Sequence, residues 1–226
     1  MKKIDLHIHT KPTLSDISFC FDIDKMNEYV TKMEIDCVAV TNHNIFDLEQ
    51  YKLIKEKLTI YTYPGIEVDL DGGHILVIAD GEELIDFATK CEEINKRISS
   101  QSSYLAISDF KNIFVDLSRY IIIPHYSKKP VLKSETISEL ASHITAGEVT
   151  SPKKFCYCIK DTDSLVPVFL AILDLQQRCQ ASQLSKHMYY LTMYALTLLN
   201  IVSGIKAKYF CQRIMGIVCL MHLIMV

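Results

Sequence analysis

Over the first 170 residues, short apolar runs alternate with longer segments in which apolar residues recur at helical spacing. The runs are rich in Val and Ile and bounded by Asn, Asp, Gly or Pro. They predict strands at Lys3–His9, Cys37–Thr41, Leu58–Tyr63, Ile66–Leu70, His74–Ala79, Tyr120–Pro124, Gly147–Thr150 and Val166–Leu170. The segments between them predict helices at Ile23–Met33, Ile45–Leu58, Glu82–Ile98 and Ser134–His143. In the second helix Asn44 is placed to cap, and Leu48, Tyr51, Leu53 and Ile54 form one apolar stripe. Strands alternating with helices make the chain α/β, with a parallel sheet or an α/β barrel.

The pattern breaks near residue 170. Residues 171–226 hold a single acidic residue, Asp174, against five Lys/Arg and five of the eight methionines. Residues 188–205, MYYLTMYALTLLNIVSGI, carry no charge. Three readings fit this tail: a helical pair closing the domain, a membrane anchor at the lower length limit for a span, or a stretch read out of frame. The abrupt loss of acidic residues favours the third. The Tyr, Thr and Ser scattered through the run speak against the anchor. The expected division is therefore a barrel domain over residues 1–170 and an atypical apolar tail over 171–226.

Composition narrows the class. A chain of 226 residues can bury a sizeable core in one domain. A net charge of −3 offers no basic footprint for nucleic acid. Eight cysteines without framework spacing, behind a charged MKKID start, point to a reducing, cytoplasmic setting. Cys156 and Cys158 form the one close pair and read as strand cysteines.

The chemistry gathers at strand ends. In DLHIHT, period-two alternation puts Asp5, His7 and His9 on one strand face and sends Leu6 and Ile8 to the other. Asp16 follows in TLSD, His43 in VAVTNHN, Glu67 in YPGIEVDL, His74 in DGGHILVIAD and His125 in YIIIPHY. In a barrel the C-terminal strand ends are where sites are built, and independent surface decoration has no reason to choose that end. Imidazole and carboxylate together suit Zn, Mn or Fe. His143, His187 and His222 have no such context.

These motifs, in this order, resemble the PHP (polymerase and histidinol phosphatase) metal-dependent phosphoesterases. The H-x-H motif is HIH. The Asp-His motif appears as TNHN, with Asn42 in the Asp place. GIEV, GGHILVIA and IPHY follow, and Asp16 is similar to the family's early aspartate. The resemblance spans residues 1–170 and implies a distorted (β/α)7 TIM-like barrel, incomplete at its C-terminal end. It implies two or three divalent ions (Zn, Mn or Fe) on His7, His9, Asp16, His43, Glu67, His74, His125 and Asp174. Glu67, His43 and His125 would stand at the reacting centre.

In that arrangement Glu67 bridges two ions, His7 and His9 hold one, His74 and His125 complete a second, and Asp16 with His43 favours a third. Asp5 or Asp69 would orient an imidazole. The activity implied is hydrolysis of a small-molecule or nucleotide phosphate ester by a metal-activated water. The family's last motif, Asp-x-His, is met only by ILDLQQ, where Gln176 takes the histidine place. With Asn42, that departure supports an alternative: a weakly active or non-catalytic metal-binding module. Similarity to PHP domains fused to ATPases would put an ATPase region downstream of this chain. Lys128 and Lys129 are the nearest cations for a phosphate, and a solvated turn accounts for them as well.

Overall fold

The computed structural model of the chain describes residues 4–17, 20–125, 130, 132–144 and 147–148. The strand expected at Val166–Leu170, the domain limit at residue 170, the tail with Asp174 and Gln176, the Cys156/Cys158 pair, and Lys128 and Lys129 lie outside the described residues.

Five strands form one sheet in the order of the chain: β1 (Ile4–Ile8), β2 (Cys37–Val40), β3 (Tyr61–Leu70), β4 (Gly73–Ile78) and β5 (Ile121–Pro124). The β1–β2 and β2–β3 pairs are parallel, whereas β4 runs antiparallel to both β3 and β5. The chain is thus mixed α/β and departs from a strict strand–helix repeat between β3 and β4. There a two-residue Asp71–Gly72 turn, with φ of 42° and 88°, replaces a helix. Both central residues take left-handed φ, the geometry that lets a short turn match the strand twist. β3 also runs unbroken through Pro64 and Gly65, merging two expected strands.

Beyond β5 the sheet continues as single parallel bridges, Ile122 to Ile144 and His125 to Glu148. Glu148 in turn reaches His7 of β1, so the sheet curls back toward its first strand as a half-barrel.

The helices are α1 (Ile23–Met33), α2 (Leu48–Lys57), α3 (Leu84–Arg97), α4 (Ile107–Ile113) and α5 (Ser134–Leu140). The Asp22 side chain accepts the Asp24 and Lys25 N–H groups at the start of α1, satisfying donors a helix start leaves open. α2 starts later than expected. Asp47 caps it by accepting Gln50 N–H, while Asn44 takes a left-handed φ of 55° and turns its side chain to Asp69. Leu53 is exposed, so the buried face of α2 is carried by Tyr51 and Ile54. α4 has no counterpart among the expected helices. At seven residues its amphipathic repeat barely completes two turns.

The sheet buries both faces. Val38, Val40, Ile66, Val68, Leu70, Ile75, Val77 and Ile122 pack with the helices in the larger core. Ile4, Leu6, Ala39, Leu76, Ile78 and Ile123 fill a smaller one on the concave side. Leu6 and Ile8 therefore do not share a face, because the β1–β2 register slips between Asp5 and Ile8. An extra residue in a strand reverses the alternation that follows it. Asp5 goes to the helix side, where Tyr29 of α1 donates its hydroxyl to Oδ2 at 2.8 Å. After the bulge, His7 and His9 turn to the concave side.

Candidate metal centre

The concave face ends in a buried cluster. β1 supplies His7, His9 directly follows it, the segment after β2 supplies His43, and β3 supplies Glu67 and Asp69. His74 starts β4, His125 follows β5, and Glu148 sits on the bridged segment beyond. All eight are at most 8% exposed. Asp16, in the loop after β1, is partly buried and reaches in to His9. The antiparallel register sets Asp69 directly opposite His74, so the reversed strand begins where its neighbours end.

Successive ring contacts link His125, His7, His9, His43 and His74, with centroids 5.8, 4.9, 4.7 and 5.3 Å apart. Glu67 lies at their focus. Its Oε2 is 3.1 Å from His7 Nε2, 3.0 Å from His9 Nε2 and 3.0 Å from His43 Nε2. Its Oε1 is 3.4 Å from His74 Nδ1. His7 Nε2 and His9 Nε2 are themselves 2.9 Å apart.

The opposite nitrogens of the His7, His9 and His43 rings face further carboxylates, whereas His74 turns one nitrogen, Nδ1, to both Glu67 and Asp69. His7 Nδ1 is 2.7 and 2.8 Å from the two Glu148 oxygens, and His9 Nδ1 is 2.7 Å from Asp16 Oδ2. His43 Nδ1 lies 3.5 Å from Asp69 Oδ1, and His74 Nδ1 lies 2.7 Å from the same oxygen. Asp69 Oδ1 and His74 Nδ1 are buried at that spacing without hydrogen-bonding geometry.

The electrostatics follow from this crowding. Burial opposes a charge on His7, but Glu148 and Glu67 outweigh it and raise its pKa to about 10. His9 is raised too, burial being overcome by hydrogen bonds to Asp16 and Glu67. Burial works against ionised Asp69 and Glu148, yet the facing histidines hold both carboxyls below their usual range. A neutral imidazole that gives its Nδ1 proton to a carboxylate presents a bare lone pair at Nε2. Several such lone pairs around one carboxylate oxygen repel unless positive charge lies among them. Ring protons, which the raised His7 and His9 values favour, or a divalent cation can supply that charge, and the donor set of imidazole and carboxylate suits a cation.

Four three-residue groups bring their donor atoms within 4.8 Å of one another: His7, His125 and Glu148; His7, His9 and Glu67; His9, Asp16 and His43; and His43, Asp69 and His74. All the strand-end residues singled out from the sequence within the described region thus come together. His74 and His125, expected to share an ion, fall into different groups among the described residues. Asp69 does meet imidazoles as expected, whereas Asp5 is turned away by the bulge and accepts the Tyr29 hydroxyl and the His7 backbone N–H.

Glu148 was not legible as a site residue. Its signal was a carboxylate in the short apolar run Gly147–Thr150, weaker than a histidine at a strand end. Asn42 is no ligand: its Oδ1 accepts the Thr10 and Lys11 N–H groups at 2.6 and 2.9 Å. Gln50 grips the same turn, donating to Thr10 O at 2.7 Å.

The chain matches no family model and no curated protein sequence. Its fold is found among solved structures. PsfC from Pseudomonas syringae aligns with TM-score 0.50 and 16% identity, over 75% of each chain. A candidate metal-dependent phosphoesterase from Bifidobacterium adolescentis aligns at 0.45 and 10%, over 75% of this chain and 86% of that one. A two-domain protein from Bacteroides vulgatus, containing a predicted PHP-like metal-dependent phosphoesterase, aligns at 0.46 and 14%. That match covers 78% of this chain and 53% of the Bacteroides protein. The likeness to PsfC shows the fold.

Proposed function

We propose that this chain is a PHP-type metal-dependent phosphoesterase acting on a small-molecule or nucleotide phosphate ester. The observation that carries the reading is the convergence of three imidazole nitrogens on Glu67 Oε2 within a buried cluster of histidines and carboxylates. His7, His9, His43 and Glu67 Oε2 would hold one divalent ion. Glu67 Oε1, His74 and Asp69 are placed to hold a second, and His125 with Glu148 flanks His7. Bound there, Zn, Mn or Fe would supply a hydroxide nucleophile near neutral pH and neutralise charge on the phosphoryl oxygens. The protein's own part is to fix the ligands on strand ends, exclude bulk water by burial and hold each imidazole in one tautomer.

Asn42 does not weaken this reading, because its work is to bind backbone N–H groups, which either an amide or a carboxylate oxygen can do. The test is metal analysis of the purified full chain together with release of phosphate from a chromogenic phosphomonoester and from nucleotides. His7→Ala and Glu67→Ala are expected to strip metal and reduce turnover to background. A wild-type chain that folds without metal, or one that carries metal and releases no phosphate from any ester tried, overturns the proposal.

A further inference from the structure

Asn44 does not cap α2, yet all its polar groups are engaged, and most of them grip β3. Its backbone N–H donates to Glu67 O at 2.7 Å. Its side-chain Oδ1 accepts the Asp69 N–H at 2.8 Å, and Nδ2 donates to Asp69 Oδ2, also at 2.8 Å. The carbonyl oxygen accepts Asn95 Nδ2 of α3 at 3.1 Å. The residue is 7% exposed and holds a φ of 55°, a left-handed backbone that asparagine tolerates better than most residues. The parallel bridge between His43 and Glu67 needs only backbone groups, Asn44 N–H to Glu67 O and Glu67 N–H to Asn42 O at 3.0 Å. The side-chain contacts are additional to it, and one of them ends on a carboxylate of the cluster. A carboxylate turns readily about its last bond. With Oδ2 held by Asn44, Asp69 presents Oδ1 to the cluster, 2.7 Å from His74 Nδ1 and 3.5 Å from His43 Nδ1.

We propose that Asn44 is a positioning residue of the metal centre: it clamps Asp69 so that Oδ1 meets His74 and His43 where the second cation binds. The inference rests on the metal-centre reading above. Asn44 acts through Asp69, and its backbone ties the same grip to the segment that carries His43, so one residue sets the spacing between the ligands of two strand ends.

The experiment uses the full chain. Asp69→Ala identifies the ion concerned as the one it releases. Glycine leaves the left-handed backbone open, so Asn44→Gly removes only the two side-chain contacts to Asp69. It should keep that ion at saturating metal but hold it about 10–100-fold more weakly in chelator competition, with the other ions bound as in wild type. In the cobalt(II)-substituted protein, the visible bands that Asp69→Ala abolishes should shift in Asn44→Gly. Asn44→Asp is nearly isosteric and keeps the acceptor for the Asp69 N–H, but it loses the donor to Oδ2. It should shift the same bands, and it carries the test if Asn44→Gly does not fold. Tyr51→Phe removes a buried hydrogen bond to Thr62 O on β3 outside the cluster and should leave the bands unchanged. Wild-type affinity and spectrum in the Asn44 variants, equal weakening of every ion, or full ion content in Asp69→Ala overturns the proposal. A wild-type chain that takes up no metal overturns it together with the metal centre. A metal-loaded wild type that cleaves no phosphate ester overturns the hydrolytic reading alone, since affinities and spectra still decide the role of Asn44.

Discussion

Tyr29 on α1 donates its hydroxyl to Asp5 Oδ2 at 2.8 Å, while Asp5 Oδ1 accepts the His7 backbone N–H at 3.2 Å. This buried carboxylate joins a helix to the bulge that turns His7 and His9 inward. The Tyr29 hydroxyl is held protonated by burial, which pushes its pKa above the usual range, so it is a donor at every pH of interest. Removing it with Tyr29→Phe should cost about 1–3 kcal/mol, the penalty for a buried acceptor that loses a partner. Urea denaturation measures the loss. An unchanged midpoint would show that the hydrogen bond contributes nothing.

Asn42 offers a sharper contrast. Asn42→Ala removes the acceptor of two backbone N–H groups just after His9 and should destabilise by about 2–4 kcal/mol. Asn42→Asp keeps an acceptor oxygen and should retain the full metal content of the wild type. Thermal melts with metal analysis on the two variants check this, and loss of metal in Asn42→Asp would contradict the role given to the side chain.

Chelation should destabilise the protein far more than it destabilises a chain lacking Glu67. With free metal at about 100 times its dissociation constant, binding adds about 2.7 kcal/mol to folding. A melting temperature that is independent of added Zn or Mn, in protein stripped by chelator, is the contrary result.

Asp47 gives a pH signature away from the site. Burial works against its charge, but the Gln50 N–H and Lys11 hold its pKa below the usual value of 3.8. A carboxyl depressed in the folded state stabilises above its unfolded pKa and loses that effect as pH falls through the folded one. Asp47→Ala should therefore cost about 1 kcal/mol at neutral pH as a lost helix cap, and the difference from wild type should shrink as the pH falls below 3.8 and through the lower folded-state value. Denaturation of both proteins at pH 7 and pH 3 measures it, and a gap of equal size at both would refute the linkage.

Gathering of the site at strand ends could be read directly from the chain, because apolar runs that end in His or Glu leave few other placements. His7, His9, His43 and His125 were visible in this way, whereas Glu67 lies inside β3 and His74 near the start of the antiparallel β4. Helix positions were equally plain where an amphipathic repeat ran for two turns or more, as in α1 and α3. Short α4 and the Asp47 cap of α2 were not, since several polar residues in a row offer competing starts.

What the sequence determined by itself was the inventory: which residues could bind a cation, their order, and the alternation of strand and helix that brings them to one end of a sheet. Tertiary structure alone decided how they divide. The bulge in β1 set the face of His7 and His9, overriding simple alternation, because one inserted residue reverses every side chain after it. Curling of the sheet brought Glu148 to His7 across 141 residues, a contact no local pattern encodes. Which nitrogen of an imidazole a carboxylate meets depends on a few ångströms of approach, and only the packed fold sets that distance.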